Sequence, residues 1–153
     1  MYKRILVAID GSRGARRALD EAVKIASATG ATVQALYVVQ HPARLVDIST
    51  GFAEEQIRQS AEADVATEAL DEAKNLFAQA GVSGTTRAAD SSGEEVAAVI
   101  HRIAAEDEVD LVVLGTRGLS GVKRLLIGSV AESYLRMADR PVMLVREEEP
   151  KSA

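Results

Sequence analysis

The chain repeats one alternation from end to end: a short run of apolar residues, then a longer stretch with apolar residues at three-to-four spacing, then another short run. The runs are Ile5 to Ile9, Thr32 to Val39, Leu111 to Leu114 and Val142 to Val145, with a weaker strand segment at Thr85 to Ala89 in the same alternation. A strand that is apolar without interruption is one covered on both faces. Strands separated each time by a helix pair in parallel through crossovers rather than as hairpins. The order β-α-β-α-β-α-β-α-β therefore predicts an α/β domain, a parallel five-stranded sheet with helices on both faces.

Local chemistry sharpens the boundaries. Asp10-Gly11-Ser12 turns the first strand into a helix with Ser12 as N-cap; Ala15, Ala18, Leu19, Ala22 and Ala26 form its buried stripe, and Gly30 is its stop. His41-Pro42 ends the second strand, and residues 43–50 are expected to form a mobile connection. A long helix follows from about Phe52 to Ala80, with a stripe of Ile57, Ala61, Val65, Ala69, Ala73, Leu76 and Phe77 and a stop at Gly81. Thr85 to Ala89 contains Arg87 and suits a sheet edge. Ser92 with Glu95, and Ser129 with Glu132, have the spacing of capping boxes at the next two helices. The domain is expected to span 1–146, with the charged residues 147–153 as a flexible tail.

Composition removes several function classes. At 153 residues the chain fits one domain. It has no cysteine and two histidines, so disulfides, thiol chemistry and Cys/His zinc sites are excluded. The net charge of −5 without a Lys/Arg block argues against nucleic acid as partner. No apolar stretch approaches membrane-spanning length, and Met1 to Arg4 does not open a signal peptide, so a cytoplasmic protein is expected. Aromatic content of 3% leaves little for base stacking, so a bound base would rest on aliphatic walls and backbone groups.

The segment Gly115 to Ser129, GTRGLSGVKRLLIGS, begins where the fourth apolar run stops and ends where a new helical pattern starts. In open α/β sheets that is where ligands bind, outside the carboxyl ends of the strands at the point where winding reverses. Gly115, Gly118 and Gly128, followed by Ser129, have the character of a loop whose N–H groups reach an anion beside a helix N-terminus. The competing reading is structural: Gly115 and Gly118 form a turn and Gly128 lets a helix start in close packing. No Gly-x4-Gly-Lys-Ser/Thr motif occurs, and strand one is not followed by a dinucleotide fingerprint.

The spacing Gly-x2-Gly-x9-Gly-Ser over Gly115, Gly118, Gly128 and Ser129 is similar, residue for residue, to the nucleotide-binding signature of the universal stress protein family. Lys3 to Ser12, Ala35 to Val39 and Arg140 to Val145 resemble the same family in the same order. The resemblance implies a Rossmann-like, adenine nucleotide alpha hydrolase-like sheet in the order 3-2-1-4-5, with the reversal between strands one and four. It also implies the nucleotide-binding branch, with ATP or a related adenine nucleotide, and Mg²⁺, as cofactors. Asp10 would lie near the nucleoside, Val38 by the adenine, and Gly115, Gly118, Gly128 and Ser129 on the phosphates.

Asp10 could serve ribose hydroxyls, support Mg²⁺, or act only as a helix-start carboxylate. Ser129 could be a phosphate ligand, an N-cap or both. Thr116, Arg117, Ser120, Lys123 and Arg124 put hydroxyls and three cations near the phosphates, with Arg117 taken as a phosphate contact, although solvated surface charge is the simpler account of any one of them. His41 and His101 receive no role. The apolar strand Val142 to Val145 at an edge calls for cover, which the family's habit of dimerising through this strand would supply. The expected function is regulatory, in stress response, by a nucleotide-binding homodimer. A slow ATP hydrolase and a nucleotide-independent adaptor are the alternatives, the former weakened by the lack of a P-loop lysine.

Overall fold

The computed structural model describes residues 1–40, 52–116 and 128–147, with 52–60 described as helical backbone only. The connection expected at 43–50, His41 and most of the tail lie outside the described residues. The elements are β1 (Arg4–Ile9), α1 (Arg13–Thr29), β2 (Thr32–Val39), α2 (Phe52–Ala80), β3 (Gly84–Asp90), α3 (Val96–Glu106), β4 (Leu111–Gly115), α4 (Ser129–Met137) and β5 (Val142–Val145). They form one sheet in the order β3-β2-β1-β4-β5, every pair parallel.

Successive residues of the strands face opposite layers, and both layers are apolar. Ile5, Val7, Ile9, Val33 and Val113 pack with α1 and α2, whereas Leu6, Leu36, Val112 and Leu114 pack with α3 and α4. Complete burial of a Leu, Ile or Val side chain contributes about 1.5–3 kcal/mol, so these two layers dominate the driving force.

Helix α1 starts and stops as its sequence predicts. The Ser12 Oγ accepts the Ala15 N–H at 3.1 Å. Gly30 closes the helix in the left-handed region at φ 77°, donating its N–H to the Ala26 carbonyl at 2.8 Å. Both expected capping boxes are corrected. Helix α3 begins only after Glu95, which is its N-cap and makes no side-chain cap bond. Ser92 belongs instead to a turn at φ 50°, its N–H donated to the Asp90 Oδ1 at 2.8 Å. Helix α4 is capped by Gly128, whose carbonyl accepts the Glu132 N–H at 2.9 Å, so Ser129 is the first helical residue and not the cap.

The stripe on α2 also differs. A strict four-residue step drifts around a helix of 3.6 residues per turn. Ala61 and Val65 are accordingly exposed, and the buried face runs through Ala66, Ala69, Ala73 and Phe77.

Arg140 fastens the end of α3. Its Nη1 donates to the carbonyls of Ala104 and Val109 at 2.6 and 2.9 Å, and its Nε to Asp139 Oδ1 at 2.8 Å. The hydrogen bond from the Arg140 guanidinium holds the Asp139 carboxyl below the usual carboxylate range.

Candidate functional site

The sheet opens at the reversal point. The β1–β4 ladder runs from Ile5/Leu111 to Val7/Val113 and ends there. The β1–β2 pairing continues to Ile9/Tyr37, and β4–β5 to Gly115/Val145. At the opposite end the same two strands are held together by Asp110, whose carboxylate accepts the N–H groups of Lys3 and Arg4 at 2.8 and 3.0 Å. Beyond Val7 and Val113, therefore, the carboxyl ends of β1 and β4 bound a crevice. A cavity of about 340 Å³ occupies it, lined by residues of β1, β2, β4, α1, α2, α3 and α4.

Six separate stretches of sequence meet in this cavity, around residues 8–15, 36–40, 62, 96, 114–115 and 128–131. Asp10 lies just past β1, half-buried, with Oδ1 accepting the Ser12 N–H at 2.9 Å. Its helix-start role and its place on the cavity wall coexist, because one carboxylate oxygen is enough for the turn. Val38 lies in β2, next but one after Leu36, and both contribute apolar wall together with Ala8, Val96 and Leu114.

Gly115 ends β4 and lines the cavity, and its lack of a side chain has a second cause. A Cβ there would fall 2.6 Å from the Gly14 carbonyl oxygen and 2.7 Å from its carbon, against the first turn of α1. Close approach of β4 to α1 thus requires glycine.

Gly128, Ser129, Val130 and Ala131 form the remaining wall. The first N–H groups of an α-helix have no helical carbonyl before them and carry the positive end of its dipole, so this wall suits an anion. Gly128's own N–H is donated to the Thr116 carbonyl. The donors that the first turn of α4 can turn toward a ligand are therefore those after Gly128. Ser129, relieved of capping, lines the cavity beside them. Arg117, Gly118, Ser120, Lys123 and Arg124 lie outside the described residues.

Among the lining residues not singled out from the sequence are Tyr37, Gln40 and Glu62. Tyr37 adds an aromatic ring to walls expected to be aliphatic. Burial, then the negative charges of Glu62 and Asp10, push its phenol above the ordinary value, so it stays protonated. Glu62 comes from α2 and accepts the Gln40 N–H at 2.9 Å through Oε1. Alternation along β2 could have pointed to Tyr37; Glu62 carries no local signal, because only tertiary packing brings α2 to the end of β2.

Among the described residues no group of three or more His, Asp or Glu could hold a metal ion. Asp10 and Glu62 are the carboxylates on the cavity. Such a set fits Mg²⁺ only in the mode where phosphate oxygens and water complete the shell. No described helix is long and apolar enough to cross a membrane.

A model described as "Universal stress protein family" matches residues 1–146. The chain is 33% identical over 151 residues to "Universal stress protein YxiE" of Bacillus subtilis, covering 95% of this chain and 100% of that protein. It superposes on universal stress protein UspA from Lactobacillus plantarum with a TM-score of 0.78 at 27% identity, over 95% of this chain and 98% of the other. The same fold is found, at 24% identity, a TM-score of 0.69 and coverage of 94% and 98%, in the Archaeoglobus fulgidus universal stress protein solved in complex with dAMP.

Proposed function

The chain belongs to the universal stress protein family, and we propose that it binds an adenine nucleotide, ATP in its working form, and serves as a regulatory protein in stress response. The observation that carries this reading is convergence. Asp10, Val38, Gly115, Gly128 and Ser129, chosen from separate segments of sequence, line one cavity at the reversal point of the sheet. The dAMP, cAMP and AMP complexes of proteins with this fold support an adenylate as the ligand class.

Each wall has a task suited to its chemistry. Val38 and Leu36 offer an apolar surface to adenine. Asp10, an acceptor only when ionised, suits ribose hydroxyls. The first turn of α4, with the Ser129 hydroxyl, suits phosphate. Arg117 and Gly118 are proposed to complete the phosphate end. Mg²⁺, when bound, would neutralise phosphate charge, with Asp10 as its protein-side support.

The protein acts in the cytoplasm as a homodimer. Support for the dimer comes from β5, an edge strand whose Val142, Met143 and Leu144 are each only partly buried. The whole of 1–146 is taken as the nucleotide-binding domain, with 147–153 as its tail.

Calorimetric titration with ATP and AMP, beside mass spectrometry of nucleotide released from the purified protein, tests the reading. Binding at millimolar or better affinity, lost in Gly128→Val, is expected. No binding of either nucleotide would end it. Sedimentation velocity tests the dimer, and a monomer at tens of micromolar protein would exclude it.

A further inference from the structure

Glu62 stands apart from the other residues of the cavity. It is delivered by α2, and it sits on the opposite flank from α4, over the end of β2. Its carboxylate is held there, since Oε1 accepts the backbone N–H of Gln40 at 2.9 Å. One turn along, α2 also touches the end of β1: Val65 Cγ1 lies 3.4 Å from where a Gly11 Cβ would be. The helix thus spans both strand ends beside Asp10, and Glu62 is its contribution to the wall.

The cavity is consequently polarised. At one side stand Asp10 and Glu62, with Tyr37 in the same wall, and none of the described lining residues is a lysine or arginine. At the other stands the open first turn of α4. A single terminal phosphate is welcome only at the second side. A carboxylate accepts hydrogen bonds from hydroxyls and amines but repels a phosphate, and a half-buried site screens that repulsion less than open water does.

We propose that Glu62 is a specificity residue, favouring adenosine nucleotides whose ribose carries no separate phosphate and excluding those bearing a 2′- or 3′-phosphate monoester. The inference rests on the adenine-nucleotide reading above. It also sets the polarity of binding: phosphate chain toward α4, ribose toward α2.

The test is calorimetric or fluorescence competition with AMP and adenosine 3′,5′-bisphosphate on the wild-type protein, Glu62→Gln and Asp64→Asn. The glutamine keeps an acceptor for the Gln40 N–H while removing the charge. Asp64 lies two residues along α2, in the acidic outer groove with Thr67, Glu68 and Asp71, so its substitution removes the same charge outside the cavity.

AMP should bind wild type better than the bisphosphate. In Glu62→Gln the gap should narrow roughly three- to tenfold, the size expected for one partly screened charge. Asp64→Asn should leave the gap unchanged. A gap unaltered in Glu62→Gln while AMP still binds would overturn the specificity role alone. Equal narrowing in Asp64→Asn would do so too, by showing a nonspecific charge effect. Failure of AMP to bind wild type would overturn both this inference and the nucleotide reading.

Discussion

Replacing Gly115 by alanine adds a single methyl group at the most crowded point of the site. The Cβ would lie 2.6 Å from the Gly14 carbonyl oxygen, 2.7 Å from its carbon and 3.1 Å from the Ala15 nitrogen. All three are backbone atoms of the first turn of α1, so no side chain can swing aside. Relief requires α1 and β4 to separate. Overpacking of this kind costs about 1–3 kcal/mol. For a chain of this size each kcal/mol lowers Tm by about 2–4 °C, so a fall of roughly 2–12 °C is expected. Urea unfolding followed by circular dichroism would show a lower midpoint at unchanged slope. Gly30→Ala provides the contrast, because no atom lies within 4 Å of its would-be Cβ and only its φ of +77° resists substitution. There the loss should be about 1–2 kcal/mol, and smaller for Gly30→Asn, since asparagine tolerates the left-handed region. At Gly115 asparagine should be worse than alanine. A Gly115→Ala protein within about 0.5 kcal/mol of the parent would refute the steric argument.

Ser12→Ala removes the acceptor for the Ala15 N–H and should cost about 1 kcal/mol in urea unfolding, with glycine at the same position less harmful. Arg140→Ala leaves the Ala104 and Val109 carbonyls without their guanidinium donor; a loss of about 1–3 kcal/mol is expected, and faster amide exchange at the end of α3 should accompany it. Absorbance at 295 nm, compared between the wild type and Tyr37→Phe, should show Tyr37 ionising above the free phenol value. The folded state then holds the phenolic proton more tightly than the unfolded chain. Its contribution is complete below the unfolded value of about 10 and declines as pH rises from there toward the folded value. An alkaline limb to the stability curve that is unchanged in Tyr37→Phe would contradict this.

Four strands were legible as short apolar runs between breakers, and β3, with Arg87, as a weaker edge segment; the parallel order followed from the helices between them. Ser12 and Gly30 were legible because a cap is a matter of neighbouring residues. The two Ser-x-x-Glu spacings misled for the same local reason. The pattern cannot tell whether the serine enters a helix or a preceding turn, and the Asp90 carboxylate draws Ser92 into the turn. Of the site, Asp10, Gly115, Gly128 and Ser129 could be picked out because they lie at strand ends or at a helix start, whereas Val38, inside β2, was named only through the resemblance to a known family. Glu62 could not, since its relation to the cavity exists only once α2 has docked. Nor could the reason for Gly115, which is the approach of Gly14 from a distant part of the chain.

Thr116 has hydrogen bonds in two directions: its N–H donates to the Val145 carbonyl at 3.0 Å, and its carbonyl accepts the Gly128 N–H. The outermost strand and the entrance to α4 are therefore fastened to opposite sides of one residue. Sliding of β5 along the sheet would tug on α4 through Thr116, without passing through the packed layers. In mechanical terms Thr116 is a coupling pin, and the rim of the molecule is one residue away from the helix that lines the cavity.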